Sequence, residues 1–445
     1  MSVSDNLPPL TTRAPDAIGP PTGPAVPHSL SKKLLAAFLL TYVGFWIAYL
    51  TPPIVSMSLR LADILPQGQR ATALSLVLGA GGIVALLTNP IVGALSDRTR
   101  SRFGMRTPWI VGGTIVSVLG FTLLALSSSV PGILVGYLIG IAGAFSVLAA
   151  LIALIPDQVP PAQRGWVSGL AGMCVPVGAV AGAALTPMLA THGPVAMFVG
   201  PCVLMVIGTG WLLTVLDDRR LDPQVAAAQP AFSLSWLLRS YWISPRKHPD
   251  FGWTWLSRFL LFMGTAILVG YQLLYLVNQL HYTMETVAGI VAISSAVHYA
   301  FTFAFSPIAG KLSDRIGRRK VFVAAGAAIY AGGMIAIALA HSLPLFLIGM
   351  AITGIGEGIY LAVDLALVTE VIPDQNDTAR AMGLFNVANT VPPALAPAIA
   401  PAFLAIPAFG ILSTSADGNF VALYLASAVF ALLGAIVIRK VRGVR

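Results

Sequence analysis

Residues 90–98 read PIVGALSDR, and residues 307–315 read PIAGKLSDR, a match at seven of nine positions with an offset of 217. A second match, IPDQ at 155–158 and again at 372–375, keeps the same offset. Two separate matches in one register indicate a duplicated unit. Each match falls at a charged break between long apolar stretches, so the unit is a set of membrane spans.

A helix needs about 20 apolar residues to cross the hydrocarbon of a bilayer. Residues 34–59 and 71–96 contain no Asp, Glu, Lys or Arg, and each holds one span. Residues 107–156 and 165–216 are also uncharged and hold two spans each, with turn signals midway at SSSVPG (127–132) and THGP (191–194). After the offset the count repeats, near 252–279, 286–310, 321–341, 344–370, 381–404 and 418–438. The expected fold is an all-α membrane protein of twelve transmembrane helices in two pseudo-symmetric six-helix bundles. The expected divisions are a disordered, Pro-rich tail over 1–30, bundles over 31–216 and 251–438, a central loop over 217–250, and a basic tail over 439–445. Within the central loop, FSLSWLLRSYW (232–242) fits a short helix on the membrane surface.

Composition agrees with this layout. Of 445 residues, 57% are hydrophobic and 10% charged, against a usual charged share of roughly 25%. Mean hydropathy is +0.84. A soluble chain of this size needs more charge to cover its surface, which excludes a cytosolic enzyme, a nucleic-acid binder and a disordered scaffold. The net charge of +9 reflects topology. Of 26 Lys and Arg, 23 lie in alternate loops and the tails, leaving Arg60 and Arg70 on the opposite side and Arg258 within a span. By the positive-inside rule both termini and the central loop face the cytoplasm, and the chain is a multi-pass protein of the plasma (inner) membrane. Cys174 and Cys202 fall in apolar runs and read as buried hydrophobes.

The loop Gly93-Ala-Leu-Ser-Asp97-Arg98 and its repeat Gly310-Lys-Leu-Ser-Asp314-Arg315-Ile-Gly317-Arg318 resemble the signature of the major facilitator superfamily. Asp97 through Arg102 to Gly104, leading to Pro108-Trp109, is similar to the glycoside–pentoside–hexuronide cation symporters and the related sucrose carriers. Gly44-Phe45-Trp46 and Leu50-Thr51-Pro52 are similar to the sucrose carriers. Met105 and Thr107 stand where that group places further basic residues, and 71–96 lacks the acidic residues of its sodium-coupled members. The resemblance implies a carrier working by alternating access, and the missing acidic residues count against sodium as its coupling ion. Gly93 and Gly310 offer close helix approach. Asp97 and Asp314, with Arg98, Arg102, Arg315 and Arg318 nearby, read as latches that fasten the halves in one state, or as topology signals alone.

Charges inside the hydrocarbon cost about 2.5–3.5 kcal/mol each on insertion scales, so each calls for a reason. Arg258 lies in the seventh span; Glu357, Asp364 and Glu370 lie along the tenth. Rise per residue places Asp364 about 10 Å inside the membrane edge, level with Arg258, as an ion pair. Glu357 is mid-span with no basic residue level with it. An isolated carboxylate in low dielectric is costly to keep ionised, which suits it to binding and releasing a proton; the alternative is a buried structural network. Tyr271, Gln272, Tyr275 and Asn278 in the seventh span offer stacking and amide bonds to a polyhydroxylated ligand, or form an interfacial aromatic belt. Trp46 and His298 line a cavity or merely pack.

The six histidines are scattered, with no metal motif and no phosphate loop. The expectation is therefore a transporter and no enzyme, with no cofactor and no metal. Its partners are a small-molecule substrate, protons and the lipid bilayer, with no nucleic acid, and it acts as a monomer. Proton-coupled uptake of a sugar or glycoside is the first reading, and export of a hydrophobic or drug-like molecule the second.

Overall fold

In the computed structural model, residues 30–218, 220, 246–372, 378–407 and 418–442 are described. The tail over 1–29, the 232–242 segment and most of the second IPDQ lie outside them. Among the described residues twelve helices are long and apolar enough to cross a membrane. In chain order they are α1 (Lys32–Ile64), α2 (Arg70–Ser96), α3 (Thr107–Leu126), α4 (Val130–Gln158), α5 (Pro161–Ala190), α6 (Pro194–Val215), α7 (Pro249–Asn278), α8 (Met284–Ile316), α9 (Arg319–Ala338), α10 (Leu343–Val371), α11 (Thr378–Thr390 and Pro392–Leu404) and α12 (Phe420–Val437).

Three helices are interrupted at proline: α6 by a short 3-10 turn over Gly200–Cys202 around Pro201, and α1 and α11 where proline removes backbone donors. In α1, Pro52 and Pro53 cannot bond back one turn. The chain widens into a π turn over Pro52–Ser56, closed by the Met57 N–H donating to the Pro52 carbonyl, while the Thr51 hydroxyl donates to the Ile47 carbonyl at 2.6 Å. In α11, Val391 followed by Pro392 and Pro393 splits the helix into its two pieces.

The duplication is visible in packing. In α3 and α4, Gly113, Gly120, Gly136 and Gly143 let the two backbones meet; a methyl on Gly143 would fall 2.6 Å from the Gly113 carbonyl. In α9 and α10, Gly326, Gly333, Gly349 and Gly356 do the same, with a methyl on Gly356 only 2.7 Å from the Gly326 carbonyl. Each of the second four lies 213 residues after its counterpart. Between α3/α4 and α9/α10 the offset is therefore 213, four short of the 217 that relates the sequence at the end of α2 to that at the end of α8. IPDQ correspondingly ends inside α4 at Gln158, whereas Ile372 already follows the end of α10. The sequence match there does not mark an equivalent place in the fold.

The loops over 97–106 and 317–320 lie at one end of the bundle, called the basic end; the other is the far end. The two halves are tied together at the far end. Ser75 of α2 hydrogen-bonds the Tyr271 hydroxyl of α7 at 2.6 Å, and Gln67 donates to Asn278 at 3.0 Å. Gly82 of α2 is pressed against the backbone of Ala394 in α11. Eleven residues on, about 16 Å along the helix, Gly93 has no atom within 4 Å of where a side chain would begin. Gly310 meets only the Ala362 methyl, at 4.0 Å. The close approach expected of Gly93 and Gly310 is thus not made in this conformation, because the faces they present are left uncovered.

Candidate functional site

A cavity near the middle of the bundle is lined by Ile54 of the α1 π turn, Thr265 and Gln272 of α7, Ser295, His298 and Tyr299 of α8, and Met350 of α10. The π turn brings the first half to this wall; the remaining lining belongs to the second half. The polar groups all come from α7 and α8, and the aliphatic lining comes from Ile54, Met350 and, on α7 itself, Leu268 and Val269.

His298 decides the chemistry. Its Nε2 lies 2.9 Å from Glu357 Oε2, and its Nδ1 lies 3.0 Å from the Thr353 hydroxyl. Glycines permit this approach: a methyl on Gly354 would strike the His298 carbonyl, and one on Gly358 would lie 3.0 Å from the Thr302 Cα. Thr302 closes the contact by donating to the Gly354 carbonyl at 3.1 Å. Both His298 and Glu357 are buried. The expectation of a carboxylate without a partner is corrected here, because its partner is a histidine and not Lys or Arg. The contact sets an imidazole and a carboxyl, two groups suited to passing a proton, within hydrogen-bond distance of each other.

Arg258 and Asp364 are brought together as expected. The Arg258 guanidinium donates to Asp364 and, through Nε, to Asn389 of α11 at 2.5 Å. The Phe385 ring lies 4.4 Å and the Phe262 ring 5.3 Å from the guanidinium carbon. Asp364 is fully buried, and its Oδ1 has no partner among the described residues. The side chain of Glu370 is outside the described set.

The other predicted ligand residues are dispersed. Gln272 reaches the cavity and donates to Ser294 at 2.5 Å. Tyr271 is spent on the Ser75 contact between the halves. Tyr275 points into its own half, donating to the Ile337 carbonyl and lying 4.7 Å from the Tyr424 ring. The shared face of α7 that holds these tyrosines is therefore not one binding wall. Trp46 belongs to an aromatic cluster with Phe45, Tyr49 and Tyr42 inside the first half.

At the basic end the organising residue is Arg106, which sequence reasoning passed over as one basic residue among several. Its guanidinium meets Asp97 at 2.6 Å, Ser96 at 2.6 Å and Asp157 at 2.9 Å. Burial works against its charge, but Asp157 and Asp97 more than offset that and raise its pKa above the usual arginine value. Because the shift is upward, its contribution to stability is complete at ordinary pH and lost only in strong alkali. Asp157 is the acidic residue of IPDQ, so the repeated motif was the available signal. Asp218 accepts from the backbone N–H groups of Arg106 and Thr107 at 2.8 and 2.7 Å, capping α3. Gly104, at φ +105, makes the turn against the same carboxylate. In the second loop Asp314 pairs with Arg319 at 3.7 Å, and Gly317, at φ +66, ends α8. Arg102, Arg315 and Arg318 are exposed, Arg102 lying over the Phe103 ring at 4.6 Å, and Arg98 is half-buried. Both signature aspartates thus pair within their own halves. Among the described residues no three His, Cys, Asp or Glu side chains gather as metal ligands.

Comparison with known proteins gives a consistent outcome. The family model described as Major Facilitator Superfamily matches residues 34–298 and 292–444. The uncharacterized MFS-type transporter YddS of Bacillus subtilis is 25% identical over 401 residues, 88% of this chain and 89% of that one. The multidrug resistance protein MdtL of Klebsiella pneumoniae is 34% identical over 91 residues, 20% of this chain and 23% of that one. The crystal structure of a D-xylose-proton symporter superposes with a TM-score of 0.68 over 93% of this chain and 98% of that one, at 16% identity.

Proposed function

The chain belongs to the Major Facilitator Superfamily of transporters, and from that premise we propose that it is a proton-coupled carrier of an uncharged sugar or glycoside, moving it inward by alternating access. The basic end faces the cytoplasm, with both termini there, and the membrane is the plasma (inner) membrane. The halves span 31–216 and 251–438, and the carrier works as a monomer. The observation that supports this reading is the His298–Glu357 contact at 2.9 Å on the wall of the central cavity.

The pair has one proton between carboxylate and imidazole when substrate is absent. A second proton, entering when the cavity faces acid, leaves imidazolium beside a neutral carboxyl and frees a carboxyl O–H to donate toward the cavity. Release on the other side restores the ionised contact. Arg258 is neutralised by Asp364, and Glu357 by His298, so the cavity has no fixed charge to attract an ion of either sign. That favours a neutral ligand held by Gln272, Ser295 and Thr265. Asp97 and Asp314 fasten the basic end in the alternate state. A second reading, export of a lipophilic compound, is supported by Ile54, Leu268, Val269 and Met350 on the cavity wall and by the MdtL relative.

The test is a pH jump on sealed liposomes containing the full chain, with sucrose, maltose and a panel of lipophilic cations. Sugar accumulation on external acidification is expected, and Glu357→Gln should abolish accumulation while leaving exchange. Unimpaired accumulation by Glu357→Gln removes the pair from the mechanism, and proton-driven loss of the cations in place of sugar uptake favours the second reading.

A further inference from the structure

Behind the cavity wall, inside the second half, three hydroxyls are fully buried without a hydrogen-bond partner among the described residues. They are Tyr330 Oη on α9, and Tyr424 Oη and Ser427 Oγ on α12. The three helices α7, α9 and α12 meet there at Gly264. A side chain at that position would begin 2.9 Å from Ser427 Oγ and 3.2 Å from the Tyr330 ring. The glycine sets no side chain of its own against these hydroxyls. Tyr424 lies within electrostatic reach of Tyr330 and of Tyr275.

The cluster adjoins the cavity. Thr265, the next residue along α7, lines the cavity and lies beside Tyr330 without closing a hydrogen bond of ordinary geometry. Tyr299 also lines the cavity, and both Tyr299 and Tyr330 are within electrostatic reach of Glu357. A hydroxyl without a partner in a low-dielectric interior is costly, and folded proteins leave few of them. Three at one junction in a bundle packed closely enough to interlock glycines need a common partner. Water is the ligand whose size and donor–acceptor balance suit them, since one molecule bonds about three such groups.

We propose that the junction of α7, α9 and α12 is a water-binding site, in which ordered water bridges Tyr330, Tyr424 and Ser427 and is continuous through Thr265 with the transport cavity. Its consequence is a polar branch that reaches the neighbourhood of Glu357 from behind the cavity wall, meeting the cavity at Thr265. That consequence rests on the proton coupling proposed above; the water site itself does not.

Thermal unfolding of the purified full chain separates the alternatives. If the hydroxyls are dry, Tyr330→Phe or Tyr424→Phe removes a penalty and Tm rises. If water bridges them, each substitution breaks a made hydrogen bond and Tm falls, by about 2 °C for a chain of this size. A fall is expected with both variants and with Ser427→Ala; a rise or an unchanged Tm overturns the site. Should a variant fail to fold, a high-resolution cryo-EM map of the unaltered protein decides. Solvent density within hydrogen-bond distance of Ser427 Oγ and Tyr330 Oη is expected, and a junction empty in a map that resolves water elsewhere overturns the proposal.

Discussion

Arg258 is a cation held in a place where water is scarce, and four side chains around it answer that cost. Asp364 neutralises it, Asn389 accepts from Nε, and the Phe385 and Phe262 rings cover its faces. Removing one partner of such a pair leaves a buried charge uncompensated, at about 3–5 kcal/mol. Asp364→Asn should therefore unfold well below the wild type in a thermal scan. The double variant Arg258→Met with Asp364→Leu should recover most of that loss while remaining defective in transport. Recovery of transport along with stability would reduce the pair to a structural role. Sequence alone gave this pairing, because rise per residue put Arg258 and Asp364 at one depth. It missed the His298–Glu357 contact for a specific reason. His298 and Glu357 each lie fourteen residues in from the far-end start of their helices, so their depths also agree, but only Lys and Arg were weighed as partners.

At the scale of the helix, the run Gly354-Ile-Gly356-Glu357-Gly358 places small residues on two sides of one acidic group. Gly356 seats α10 against α9, while Gly354 and Gly358 seat it against α8. The acid reaches its histidine because the two backbones nearly touch. Gly354→Ala should push α8 and α10 apart and lower gradient-driven uptake by about tenfold, the loss of one charge-assisted hydrogen bond. Gly289→Ala, on an open face of α8, should change nothing. Equal rates in all three proteins would mean that the spacing does not matter. The twelve spans were legible because uncharged windows measure the hydrocarbon directly. The ligand face of α7 was not, because periodicity groups Tyr271 and Tyr275 without saying whether their side meets the cavity, the other half or the bundle interior, all of which are equally apolar. The glycine ladder was written in the sequence at offset 213 and obscured by the louder loop match at 217.

For the whole molecule, the far end is the fastened one: Ser75 with Tyr271, Gln67 with Asn278, and Gly82 against Ala394. A carrier that alternates must give up these contacts and gain others at the basic end. There Asp97 is exposed at its carboxylate and held by Arg106, positioned to exchange that partner for one on the opposite half. Asp97→Asn should slow turnover in the liposome assay without reducing the amount of protein inserted. Wild-type turnover in that variant would leave the aspartate no part in fastening the halves.

The glycine register also aligns the two copies inside the membrane. At the same offset of 213, Glu357 corresponds to Ala144 and Asp364 to Leu151. The second copy alone bears acidic groups at these positions, and each faces a basic partner, Asp364 an arginine and Glu357 a histidine. Membrane voltage does work only on net charge that moves, at about 2.3 kcal/mol per elementary charge per 100 mV. On the proposed cycle the empty molecule rocks back without feeling the electrical field, and the protonated one is driven by it.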